Sequence, residues 1–153
     1  MTTSLSNAAP LIVRRIVRAT PARLFDAWTR PEHLLRWFGP RSAACVGAEV
    51  DLRIGGAYRL VVEFVDGRVV TIEGTFTTIE RPHVLVYTWS IAPDLTSAPV
   101  EVVTVRFEPR DASTEVTVIH DRMPSDEVRR GHAAGWEDCL DGLERFAAAS
   151  DVD

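Results

Sequence analysis

The stretch "GWEDCLDGLERF", Gly135–Phe146, decides how the rest of the chain is read. Trp136, Cys139, Leu140, Leu143 and Phe146 recur at steps of three and four residues, and Ala147 extends the row. That spacing predicts one apolar stripe on an α-helix. Glu137, Asp138, Asp141 and Glu144 fall mostly elsewhere on it and are expected in water. Upstream, Ser125 suits the N-cap, and Asp126 and Glu127 suit the positive end of the helix dipole. Gly135 and Gly142 interrupt the helix, and each costs about 1 kcal/mol relative to alanine in a helix interior. Seven residues apart, they share roughly one side, which predicts a bend or a close approach there.

A helix with one apolar stripe needs a surface to bury against, and the middle of the chain supplies it. There the period drops to two. Tyr58, Leu60, Val62 and Phe64 share a strand face, with Arg59 and Glu63 on the other. Gly55-Gly56 reads as a turn or bulge before that strand. Asp66-Gly67 signals a hairpin. Val70, Ile72, Gly74 and Phe76 line the next strand, and "ERPH" (80–83) turns the chain. Leu85, Tyr87, Trp89 and Ile91 line another. A loop, "APDLTSAP" (92–99), leads to Val103, Val105 and Phe107. "RDAS" (110–113) turns back to Val116, Val118 and His120. Strands joined by such short turns pair antiparallel.

The N-terminal part reads as a strand, "LIVRRIVRA" (11–19), then two short helices. Thr20 and Pro21 fit N-cap and N1 of the first, with Leu24, Phe25 and Trp28 inside. "RPEHLLRWFGP" (30–40) holds the second. Pro31 sits at N1, Leu34, Leu35 and Trp37 or Phe38 point inward, and Gly39-Pro40 ends it. Residues 1–10 are expected to form a flexible tail and 11–149 a single domain. The order of strand, two helices, six strands and long helix is α+β. A sheet curled around the helix leaves room for a cavity between them.

Composition narrows the functional classes. The net charge of −5 disfavours nucleic acid, whose backbone needs a basic face. No segment has about 18 consecutive apolar residues, so no membrane span is expected. The start, MTTSLSNAAP, has neither a basic n-region nor an apolar core, and a cytoplasmic location is expected. The two cysteines, Cys45 and Cys139, form no CxxC pair, so reduced thiols are expected.

Four segments carry a family resemblance. They are "ATPARLFDAWTRPEHLLRWFGP", "DLRIGGAYRL", "LVYTW" and "GWEDCLDGLERF". In this order they resemble the START-like, helix-grip superfamily (SRPBCC or Bet v 1-like proteins). The branch they resemble is the one named after the activator of heat-shock protein 90 ATPase. The resemblance spans residues 11 to about 148. It implies a curved six- to seven-stranded antiparallel sheet wrapped around the long C-terminal helix. Arg30 departs from the acidic or small polar residue usual before that proline, which affects only the capping of the second helix. The superfamily includes lipid and hormone carriers, chaperone co-activators and polyketide cyclases, so the fold does not fix the function.

The resemblance and the inward aromatics together suggest a pocket between sheet and helix. Its expected lining is Trp37, Tyr58, Phe64, Phe76, Trp89, Phe107, His120, Trp136, Cys139, Leu140 and Leu143. The expected occupant is a small apolar or aromatic molecule. A co-chaperone-like interaction module is the alternative, and a cyclase- or hydrolase-type enzyme using His120 comes last. His33, His83, His120 and His132 show no metal-ligand spacing, so neither a metal nor a cofactor is expected. Cys139, with acidic neighbours, reads as a small buried hydrophobe rather than a nucleophile. A free sheet edge makes a homodimer the expected mode of any self-association.

Overall fold

A computed structural model describes residues 8–92 and 100–149; the loop expected at 92–99 lies almost wholly outside them, as do residues 1–7. The elements are β1 (Leu11–Val17), α1 (Pro21–Thr29), α2 (Pro31–Trp37), β2 (Ala43–Val50), β3 (Ala57–Phe64), β4 (Val69–Glu80), β5 (Val84–Ala92), β6 (Glu101–Arg110), β7 (Ser113–Asp121) and α3 (Asp126–Ala149). The seven strands form one antiparallel sheet in the order β1-β7-β6-β5-β4-β3-β2. The sheet curls into a half-barrel around α3, which is the helix-grip fold. Among the described residues, no helix is long and apolar enough to cross a membrane.

Local chemistry sets the helix ends as the sequence suggested. The Thr20 hydroxyl accepts from the Arg23 N–H at 3.2 Å. The Ser125 hydroxyl accepts from the Val128 N–H at 3.2 Å. Arg30 closes α1 and opens α2 in an extended conformation, φ −93° and ψ 125°, as a residue before proline prefers. Its side chain makes no cap, but its backbone N–H donates to the Asp26 carbonyl and its carbonyl accepts the Leu34 N–H. The Trp37 indole N–H donates to the Ala27 carbonyl at 2.8 Å and pins the two helices together. Leu35, expected inside, is 44% exposed. Leu34 and Trp37 take the inward arc of this seven-residue helix, and each residue turns about 100° from the last.

Of the expected tail, residues 8–10 are tied down. The Ala8 N–H donates to the Met123 carbonyl, and Arg129 donates to the carbonyls of Ala9 and Pro10. The acidic residues of α3 are also more engaged than expected. Arg15, from the edge strand β1, contacts Glu137 at 2.8 Å, Asp141 at 2.8 Å and Glu144 at 3.4 Å. The hydrogen bond from Arg15 holds the Asp141 carboxyl below its usual range. The carboxylates are partly exposed, which limits what each pair adds to stability, while Arg15 orients β1 on α3.

The two helical glycines have different surroundings. A Cβ on Gly142 would stand 2.7 Å from the Trp37 carbonyl oxygen, so α3 crosses the end of α2 backbone to backbone. A Cβ on Gly135 would meet nothing within 4 Å. Gly142→Ala should therefore cost about 1–3 kcal/mol through overpacking, while Gly135→Ala should gain up to about 1 kcal/mol from helix propensity. Urea unfolding of both variants checks this, and equal stabilities would contradict the difference in packing.

Candidate functional site

The inner face of the sheet and the stripe of α3 do not meet everywhere. A cavity of about 160 Å³ remains between β3–β5, α3 and the turn after α2. Phe64, Trp89, Trp136 and Cys139 line it, four of the residues expected from sequence. Val62, Val70, Ile72 and Ile91 complete the sheet wall, and Phe38, Gly39 and Pro40 close one end. His132 and Gly135 complete the helix wall. The open space met by a Gly135 Cβ accords with that position.

The other expected residues lie outside this lining. Tyr58 and Phe76 border a separate void of about 20 Å³, which leaves no room for an organic ligand. The Tyr58 hydroxyl donates to the Thr88 carbonyl at 2.5 Å. It lies beside Gly74, where a Cβ would stand 2.0 Å from that same oxygen. Burial pushes the Tyr58 phenol up, well above its usual range. Trp37 packs at a tilt against Trp28, centroids 4.9 Å apart, and Phe107 packs edge-on to Phe25 and Trp28. Phe107, Leu140 and Leu143 are fully buried. A broader groove of about 490 Å³ near Glu49 and Ser90 lies on the solvent side, where Arg59 and Glu73 pair at 3.1 Å.

The cavity borders a buried polar chain. Trp136 donates from its indole N–H to Nδ1 of His120 at 3.0 Å. Nε2 of His120 lies 2.6 Å from Oε1 of Glu101, and Nε2 of His132 lies 3.1 Å from the same oxygen. The two imidazoles stack at 4.5 Å. Burial pushes the Glu101 carboxyl up, but the hydrogen bonds from His120 and His132 outweigh it and bring it down to about 2. Burial also lowers the pKa of His120, against the opposing pull of Glu101.

Donor rules then assign the protons. An indole N–H can only donate, so Nδ1 of His120 must accept. His120 is therefore neutral, and its proton sits on Nε2 and points to Glu101. A carboxylate can only accept, so Nε2 of His132 carries a proton too. Glu101, His120 and His132 lie close enough to surround a metal ion, their ligand atoms all within 4.8 Å. The donor set at His120 opposes one. A ligating histidine normally donates from its other nitrogen, whereas His120 receives there.

His120 thus has both ring nitrogens engaged and no exposure, leaving it no free nitrogen for a ligand. Glu101 and His132 were missed, although the signals existed. Glu101 lies two residues before Val103 on the same strand face. His132 lies four residues before Trp136 on the same helix stripe. Cys139 accepts a backbone N–H from Gly39 at 3.3 Å, and burial pushes its thiol up to about 12, which leaves it unreactive.

The family model described as Activator of Hsp90 ATPase homolog 1-like protein matches residues 18–148. No curated protein matches the sequence. Among solved structures, a protein from Nitrosomonas europaea is similar at 21% identity and a TM-score of 0.81, over 94% of this chain and 97% of that one. An AHSA1 protein from Silicibacter pomeroyi is similar at 23% identity and 0.82, over 92% and 99%. A protein from Rhodobacter sphaeroides is similar at 25% identity and 0.78, over 98% and 97%.

The polar chain makes stability depend on pH. Glu101 titrates lower in the folded state, so its contribution is complete above about pH 4.3 and is lost as pH falls toward its folded value. His120 also titrates lower when folded, so stability starts to fall as pH drops below about 6.5. Melting temperatures should decline from pH 7.5 to 5 and again below 4.5. In Glu101→Gln the second loss should shrink; an unchanged acid profile would contradict the assignment.

Proposed function

This chain belongs to the Activator of Hsp90 ATPase homolog 1-like family, and we propose that it binds a small apolar or aromatic molecule between the sheet and α3. Binding alone is assigned, without catalysis. The observation that carries the reading is the apolar cavity of about 160 Å³ that no side chain fills. Its size suits one ring: an engineered apolar cavity of about 150 Å³ binds benzene. Gly135 adds support. It stands on the cavity wall, where alanine would fit and would improve the helix by about 1 kcal/mol. Glycine there forgoes stability and keeps the wall open.

Family membership favours a second reading, a chaperone-related interaction module. It would use the outer surface, and filling the cavity would leave it intact. Stimulation of an Hsp90 ATPase by the purified protein separates the two readings.

The binding reading predicts that benzene, toluene or indole raises the melting temperature with concentration, following RT ln(1 + [L]/Kd). Gly135→Leu, with its side chain in the cavity, should keep the fold and abolish that rise. No shift with any of the three in the parent protein would refute the reading.

A further inference from the structure

We propose that the cavity's occupant is a single-ring phenol whose hydroxyl donates to Nδ1 of His132. This rests on the binding reading above and names the chemical class of the ligand. The proton assignments lead to it. With Nε2 of His132 turned to Glu101, Nδ1 is the ring's second hydrogen-bonding atom, and in the neutral ring it carries a lone pair that can accept. No described residue donates to that atom, and it is not sealed from solvent. The His132 side chain is 17% exposed and also lines the cavity, so it stands at the mouth.

The other polar side-chain groups of the lining are engaged or out of reach. The Trp136 N–H is committed to His120. Trp89 has no acceptor for its N–H, but that nitrogen is sealed inside the protein. The sulfur of Cys139 is capped by Gly39. The site therefore offers one nitrogen acceptor against walls that include Phe64, Trp89 and Trp136. An acceptor selects a donor on the ligand. An imidazole nitrogen as acceptor favours an acidic donor such as a phenol over an alkanol. The volume limits the body to about one ring.

The matched probes p-cresol and p-xylene differ by hydroxyl against methyl. Desolvation of the hydroxyl favours p-xylene in a purely apolar cavity. Calorimetric titration should show that the ratio Kd(p-xylene)/Kd(p-cresol) is about tenfold larger in the parent protein than in His132→Phe, the worth of one good hydrogen bond. A ratio equal in the two proteins would overturn the phenol assignment and leave the cavity reading standing. Binding of neither probe to the parent would overturn both. If His132→Phe does not fold, ¹⁵N-histidine NMR of the parent decides. The Nδ1 resonance of His132 should move with p-cresol and not with p-xylene, and equal response to both would refute the assignment.

Discussion

The carboxylate of Glu101 receives His120 from β7 and His132 from α3, and His120 receives Trp136. Three elements meet at this one charge. A hydrogen bond to a charged group is worth about 1.5–3 kcal/mol, and an unpaired buried charge costs more than that. The chain therefore acts as a unit: Glu101 fixes a proton on Nε2 of each imidazole, while burial and the Trp136 N–H hold His120 neutral. It also holds the Trp136 indole by its N–H, with the ring stacked on Trp28 at 6.1 Å. So anchored, Trp136 cannot swing into the space beside it without giving up that bond.

That anchoring matters because empty space is expensive. The apolar walls around this space forgo the packing contacts that a larger side chain would make there. A chain selected for stability alone would fill it, and Gly135 is where the filling would be simplest. The structure instead keeps glycine on the wall and fastens the nearest large side chain. At Gly142 the glycine has a purely steric reason, the Trp37 carbonyl. The same residue type, seven positions apart on one helix, answers two different demands.

Period and punctuation made the fold legible. Alternation placed every inward aromatic of β3–β7, and Thr20, Pro21, Pro31 and Ser125 marked the helix starts. Four of the thirteen lining residues, Phe64, Trp89, Trp136 and Cys139, were expected at the site for the same reason and follow from face and stripe. What stayed hidden required charged residues to be read as interior. Glu101 shares the face of Val103, but a glutamate at a strand end is normally solvated. His132 shares the stripe of Trp136 but lies a full turn before it. His120 stood out as an inward histidine, and only its two partners showed that neither nitrogen is free. The Arg15 clamp joins residues more than 120 apart in sequence and has no local signal at all.

The space between Trp89, Trp136, Cys139 and Phe64 is apolar and no side chain fills it. Diffraction from a crystal pressurised with xenon tests it most directly, because xenon enters dry apolar cavities of this size. A strong xenon peak in contact with those four side chains is expected, with Trp136 still bonded to His120. No xenon peak, with Trp136 turned away from His120 and filling the space, would contradict it.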